Sequence, residues 1–254
     1  MKSLRPIFLF SFVFVLCGFI SCNKHYKAQQ TRYIDYRVSA QDSSETSTVF
    51  NKTIEPYRNK LEQEMNEIIG VASFEMVKAS PEGGLGNWIA DMTQVQGQKY
   101  YNKPVDFGLC NQGGIRLPSF PKGAITVGKI FELLPFDNFL TIVLLDKNQV
   151  IQLFHYMAQK GGWPVSKGVK YFIVNNKATE ITINGKPLED KTYAVAMNDY
   201  VASGGDGCDF IANAPKWESS VLIRDAMIDF TKTYTSKNEQ IAFKSEGRVT
   251  IVLH

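Results

Sequence analysis

The densest chemistry in this chain sits in two glycine-rich loops. The first reads Asn111-Gln112-Gly113-Gly114-Ile115-Arg116. Arg116 offers a planar fork of donors suited to phosphate or carboxylate. Asn111 offers both a donor and an acceptor, which suits the edge of a heterocyclic base. Gly113 and Gly114 let the backbone approach a ligand closely. The second loop reads Ser203-Gly204-Gly205-Asp206-Gly207. Its backbone N–H groups can converge, and Asp206 has the chemistry to accept hydrogen bonds from a vicinal diol. Phe136, in Leu134-Pro135-Phe136-Asp137-Asn138, and Tyr200, just before the second loop, are aromatic residues at corners. Two such rings facing each other would sandwich a planar base, worth roughly 1–3 kcal/mol per base. Structural alternatives stay open for each. The first loop also reads as a plain turn with Arg116 in a surface ion pair, the second as an Asx-type turn, and both rings as core.

Hydrolytic machinery is missing. The chain has three histidines: His25 in a polar stretch, His155 inside an amphipathic helix, and the terminal His254. No D-x-H, H-x-H, H-E-x-x-H or N-H-E cluster exists. A two-metal phosphatase centre needs several convergent His and carboxylate ligands, so no metal site is expected here. Neither a G-x-S-x-G elbow nor a nucleotide-phosphate P-loop is present.

The elements that must position these loops follow from periodicity. Ile54, Tyr57, Leu61, Met65 and Ile68 recur at helical spacing, with Thr53 as cap, Pro56 in the first turn and Gly70 as stop. Residues 71–77 read as a strand, and a second helix is predicted from about Leu85. A short strand over 105–110 feeds the first loop. Thr126 is placed to cap a short helix that Pro135 terminates. Residues 140–146 (LTIVLLD) form an apolar, central strand, and 147–160 an amphipathic helix closed by Gly161-Gly162. Strands near 169–174 and 181–183 follow, the second ending in the turn Asn184-Gly185. Residues 193–202 are predicted as a strand feeding the second loop. The last helix carries Ile223, Met227, Phe230 and Tyr234, and the chain closes on a strand. This alternation predicts a single α/β (α+β) domain with a mixed sheet flanked by helices.

Composition agrees. The chain has 254 residues, 44% hydrophobic and 21% charged, which excludes a disordered or collagen-like polymer. Its net charge of +3 is too weak to imply nucleic acid as a partner.

The start of the chain reads as a targeting signal. Lys2 and Arg5 precede an almost wholly apolar stretch over 7–20, short for a membrane span and typical of a signal-peptide core. It ends at Ser21-Cys22, which looks like a bacterial lipobox with Cys22 as the lipidated residue. A plain secretory signal is the alternative. The expected organisation is a lipoprotein signal over 1–21, a polar tether over 22–51 containing a possible edge strand (TRYIDYRV), and a domain over 52–254. The expected location is the bacterial cell envelope, on the periplasmic side or the cell surface, attached through lipid rather than a spanning helix. Cys110 and Cys208 are read as two buried thiols in preference to a disulfide.

The motifs taken in order are specific. LGNWIADM, VDFGLCNQGGIR, the GxITVGxxFxLLPFDN stretch, YAVAMNDYVASGGDG and EGRV together resemble the C-terminal domain of the 5′-nucleotidase / UDP-sugar hydrolase family, over about residues 54–253. The resemblance implies that this domain holds substrate while a separate two-metal phosphatase domain cleaves it. It implies a stacking pair at Phe136 and Tyr200, base contacts from Asn111 and Asn138, ribose held by Asp206 and phosphate reached by Arg116. The Gly113-Gly114 and Gly204-Gly205 pairs would give close backbone approach. The family's second ring is usually Phe, and Tyr200 adds a hydroxyl. Many members carry Arg shortly before the LGN motif, whereas this chain reads Ser80-Pro81-Glu82-Gly83-Gly84. The expected function is the recognition half of a split 5′-nucleotidase, with no catalytic residues or metal of its own and divalent metals in a separate metallophosphatase chain. The alternative is a stand-alone nucleoside- or nucleotide-binding lipoprotein.

Overall fold

The computed structural model describes residues 48–252. The expected signal, the expected lipidation site Cys22, most of the expected tether and the expected TRYIDYRV strand lie outside the described residues. The described residues from Lys52 onward form one compact unit.

The first helix, α1, spans Thr48–Met65. It begins before Thr53 and ends before Ile68, so Pro56 falls in its interior rather than its first turn. Met65 packs against the body, while Tyr57 on the same stripe is 77% exposed. The apolar period identified the helix but not what covers it. Strand β1 (Ile68–Ala72) follows, and β2 (Met76–Val77) is separate from it. Gly70 lies inside β1 and does not stop α1. A Cβ there would come within 2.8 Å of Thr231 Cγ2.

Helix α2 (Gly84–Tyr101) buries Leu85, Trp88, Ile89 and Met92. Strand β3 (Phe107–Gly108) lies against it. Glycine is needed at 108, because a Cβ would sit 2.6 Å from the Gln94 nitrogen and 2.8 Å from the Ala90 carbonyl oxygen. A 3-10 turn at Gln112–Gly114 leads to β4 (Ser119–Phe120) and β5 (Gly123–Thr126). Thr126 caps α3 (Val127–Leu133), its hydroxyl accepting from the Lys129 N–H at 3.3 Å.

The apolar run becomes β6 (Phe139–Leu145). Helix α4 (Lys147–Gln159) starts on a capping box. The Gln149 N–H donates to Asp146 Oδ1 at 2.8 Å, and the Gln149 side chain accepts from the Asp146 N–H at 3.1 Å. Strands β7 (Val169–Val174), β8 (Lys177–Ile183) and β9 (Lys186–Pro187) form a meander. Asn184 and Gly185, at φ of 52° and 74°, make the left-handed turn between β8 and β9. Strand β10 (Tyr193–Asn198) is wholly buried and stops four residues earlier than expected. Asn198 caps a helical turn, α5 (Asp199–Ala202), its Oδ1 accepting from the Val201 N–H at 2.8 Å. Strand β11 (Lys216–Leu222), helix α6 (Ile223–Ser236) and strand β12 (Val249–Ile251) complete the chain.

The fold is a mixed α/β domain with helices flanking mixed sheets. Among the described residues two sheets have four strands, in the orders β11-β6-β10-β3 and β12-β7-β8-β9, and two are pairs, β1-β5 and β2-β4. Strand β6 is interior, as its nearly continuous apolar run requires. One core lies under α4 between the two larger sheets. A second gathers α2, α3, α6 and β1 around Trp88.

The first sheet places the loops. Strand β10 runs parallel to β3 and antiparallel to β6. The C-terminal ends of β3 and β10 and the N-terminal end of β6 therefore share one edge, with Asn198 opposite Leu140. The first loop leaves β3 there, the Phe136 corner enters β6 there, and Tyr200 with the second loop leaves β10 there.

Away from that edge, Arg248 is 2% exposed and ties the chain end to α2. Its guanidinium donates to Asp91 Oδ1 and Oδ2 at 2.5 and 3.0 Å and to the Val165 carbonyl at 2.9 Å. Glu82 stands in the stretch that lacks the family's Arg. Its buried carboxylate accepts from Asn87 Nδ2 (2.7 Å) and from the N–H groups of Glu246 (2.7 Å) and Arg248 (2.9 Å). That stretch ties the start of α2 to the segment leading into β12 instead of presenting a cation.

Candidate functional site

The shared edge opens into a cavity of about 360 Å³. Asn111, Gly113, Gly114 and Arg116 line it from the first loop. Phe136 and Asn138 line it from the α3–β6 corner, and Tyr200 and Asp206 from beyond β10. Phe136 is 46% exposed and Tyr200 49%. Neither ring is core, and both present surface to the same space. Gly204 and Gly205 do not line the cavity. They act one layer back: Gly204 takes φ of 98° to turn the chain, and Gly205 lies directly beneath Tyr200.

Local bonds fix each wall. The Arg116 N–H donates to the Leu133 carbonyl at 3.1 Å, holding the first loop against the end of α3. Its guanidinium lies 5.6 Å from the Phe136 ring centre and, among the described residues, forms no ion pair. The surface-ion-pair reading of Arg116 does not hold. The corner is pinned from behind, where the Ile223 N–H donates to the Asn138 carbonyl at 2.8 Å and Arg224 pairs with Asp137 at 2.6 Å.

Asn111 is 3% exposed. Its Nδ2 donates to Asp206 Oδ2 at 2.6 Å, and its Oδ1 accepts from Asn198 Nδ2 at 2.9 Å. Gly114 makes room for it, since a Cβ at 114 would stand 2.9 Å from Asn111 Oδ1. Asp206 adopts φ of 53°, in the left-handed region that Asp tolerates better than most residues. Its carboxylate accepts from Asn111 and Tyr200 rather than closing an Asx turn. The Tyr156 hydroxyl, reaching over from α4, donates to the Asp206 carbonyl. Sequence reasoning missed Tyr156 and Asn198, whose spacing carries no signal for a shared site.

Cys110 is buried beside this cavity and Cys208 behind the second loop, both as free thiols. Burial pushes the Cys110 thiol up to about 12, and does the same to Cys208 with help from the negative charges of Asp206 and Asp209. Both are protonated and unreactive at neutral pH. Among the described residues no group of three or more His, Cys, Asp or Glu side chains is placed to hold a metal ion. No step through a metal is assigned to this chain.

The sequence profile described as "5′-nucleotidase, C-terminal domain" matches residues 66–213, more than half of the chain. The chain belongs to the 5′-nucleotidase C-terminal domain family. Among curated relatives, the trifunctional nucleotide phosphoesterase protein YfkN of Bacillus subtilis is 28% identical over 230 residues, covering 82% of this chain and 15% of that protein. A 5′-nucleotidase of Vibrio vulnificus is 26% identical over 215 residues, covering 81% of this chain and 37% of that protein. A cell wall protein of Listeria monocytogenes, Lmo0130, is 26% identical over 220 residues, covering 76% of this chain and 28% of that protein. The 5′-nucleotidase precursor of Thermus thermophilus superposes with a TM-score of 0.67 at 24% identity, over 81% of this chain and 43% of that one, and shows the shared fold. The chain thus spans less than half the length of these relatives. Among the described residues no helix is long and apolar enough to cross a membrane.

Proposed function

We propose that this 5′-nucleotidase C-terminal domain is a nucleotide- or nucleoside-recognition module that works with a separate metallophosphatase chain. The base stacks between Phe136 and Tyr200, Asn138 meets its edge, Asp206 takes the ribose hydroxyls and Arg116 reaches the phosphate. Bond cleavage belongs to the partner, which supplies the divalent metals and the attacking water. The domain over 52–254 is carried on the tether and held at the cell envelope through Cys22.

One observation carries this reading. Two half-exposed rings from segments more than sixty residues apart border one cavity together with an arginine and a carboxylate. A shared membrane surface would raise the effective concentration of two tethered chains, so a weak interface suffices.

Calorimetric titration of the purified chain with adenosine and AMP tests the ligand. Saturable binding that Phe136→Ala weakens supports the reading, and no binding refutes it. Mixing with a lone two-metal phosphatase from the same cell tests the partnership. A rate gain on nucleotide hydrolysis supports it. Binding without any such gain leaves the stand-alone binding lipoprotein as the function.

A further inference from the structure

Two walls of the cavity, the first loop and the turn after β10, are joined by a ring of hydrogen bonds that closes through the backbone of α5. A carboxylate has two oxygens and about four acceptor positions. Asp206 Oδ2 accepts from Asn111 Nδ2 at 2.6 Å, and Oδ1 accepts from the Tyr200 hydroxyl at 3.0 Å. That hydroxyl in turn accepts from the Asp206 backbone N–H at 3.1 Å, which leaves its single proton for the carboxylate. Asn111 is held through its Oδ1 by Asn198 Nδ2 at 2.9 Å. Asn198 caps α5, the helical turn that carries Tyr200. The ring therefore runs Tyr200, Asp206, Asn111, Asn198 and back to Tyr200 through the backbone.

We infer that Tyr200 and Asn111 are positioning residues for Asp206, fixing its carboxylate with one acceptor position left on each oxygen for a vicinal diol. This inference rests on the nucleotide-binding reading. It divides Tyr200 into two separable parts: the π-face meets the base, and the hydroxyl aligns the group that meets the sugar. Asn111, with both ends of its amide engaged inside the protein, acts on the sugar side rather than on the base. Selection of ribose over 2′-deoxyribose then depends on an oxygen atom that never touches the ligand.

The test is calorimetric titration of the full chain and its Tyr200→Phe variant with AMP and with 2′-deoxy-AMP. Phenylalanine keeps the ring. Loss of one hydrogen bond to a carboxylate is worth a factor of about ten to a hundred. The expected result is AMP binding weakened by about that factor, with 2′-deoxy-AMP changed less than about twofold, because the deoxy sugar cannot use both carboxylate oxygens. Any loss of folded protein scales both affinities equally, so the ratio reads positioning and not stability. Asp206→Asn, which keeps a residue tolerant of the left-handed backbone, is expected to erode the same ratio further. Equal losses for the two ligands, or none, in Tyr200→Phe overturn the positioning role while nucleotide binding stands. Failure of the unaltered chain to bind either ligand overturns the nucleotide reading and this inference with it.

Discussion

Gly205→Ala is the substitution through which the second loop is most directly tested. Gly205 has an ordinary backbone conformation, so alanine meets no torsional obstacle there. The obstacle is space. A Cβ on Gly205 would lie 2.5 Å from the Tyr200 carbonyl oxygen and 2.6 Å from Cε1 and Cζ of its ring. Carbon contacts to such atoms settle at about 3.5–4.0 Å, so ring and turn must both give by about 1 Å. The half-exposed ring can swing outward, but the Tyr200 carbonyl belongs to the backbone and moves only with the turn, so the folding cost spans the usual range for overpacking, about 1–3 kcal/mol. For a domain of this size that is about 2–12 °C in Tm. The ligand cost is larger. A displaced Tyr200 forfeits base stacking, about 1–3 kcal/mol, and lets go of Asp206. Thermal denaturation and titration with AMP measure the two effects separately, and AMP affinity is expected to fall at least about tenfold. Gly185→Ala is the control, because Gly185 also needs care (φ of 74°) but has nothing within 4 Å of a Cβ. It is expected to lose about 1 kcal/mol of stability from left-handed strain with unchanged binding. If Gly205→Ala melts and binds as the unaltered chain does, Tyr200 is not seated on Gly205 and the account of this loop fails.

Phe136→Ala removes a half-exposed ring with no core role, so Tm should move by less than about 3 °C while AMP affinity drops by about 1–3 kcal/mol. A large Tm loss with binding intact would reverse that assignment. Arg248→Met leaves Asp91 and Glu246 without their cation and the Val165 carbonyl without a donor. Urea unfolding should show a loss of about 3–5 kcal/mol, and a change under about 1 kcal/mol would show that the network is dispensable. The Cys110 and Cys208 thiols, both raised to about 12 by burial, give a signed pH dependence. In the unfolded chain they ionise near pH 8.5. Above that pH the unfolded state binds fewer protons than the folded state, so stability is constant below pH 8.5 and falls as pH rises toward 12. Replacing both with alanine should flatten the slope between pH 9 and 11 in urea titrations, and an unchanged slope would place its origin elsewhere. At pH 8 both thiols should resist alkylation until the chain is unfolded.

Local pattern carried most of the elements. The capping threonine at 126 and the nearly continuous apolar run of β6 act over a few residues, so their signals survive in the linear chain. It failed where a neighbour decided the outcome. Helix α1 runs through Pro56 and ends before Ile68, because Ile68 is recruited by pairing with Thr126 on β5. Strand β10 stops at Asn198 because that side chain turns back to cap α5, a competition between ladder and cap that alternation alone cannot resolve.

The residue types of the site were fixed by the linear chain: two rings, a carboxylate, a guanidinium, two amides and the glycines that make room for them. Their convergence was not. It exists because β10 pairs parallel with β3 and antiparallel with β6, which brings three loop ends to one edge of the sheet. Likewise Asn111 read in isolation as a group facing a base, whereas folding turns its amide toward Asp206 and Asn198. Strand pairing and side-chain hydrogen bonds across nearly a hundred residues depend on closing the chain into one compact body. That is information held by contacts between distant segments, not by the spacing of neighbours.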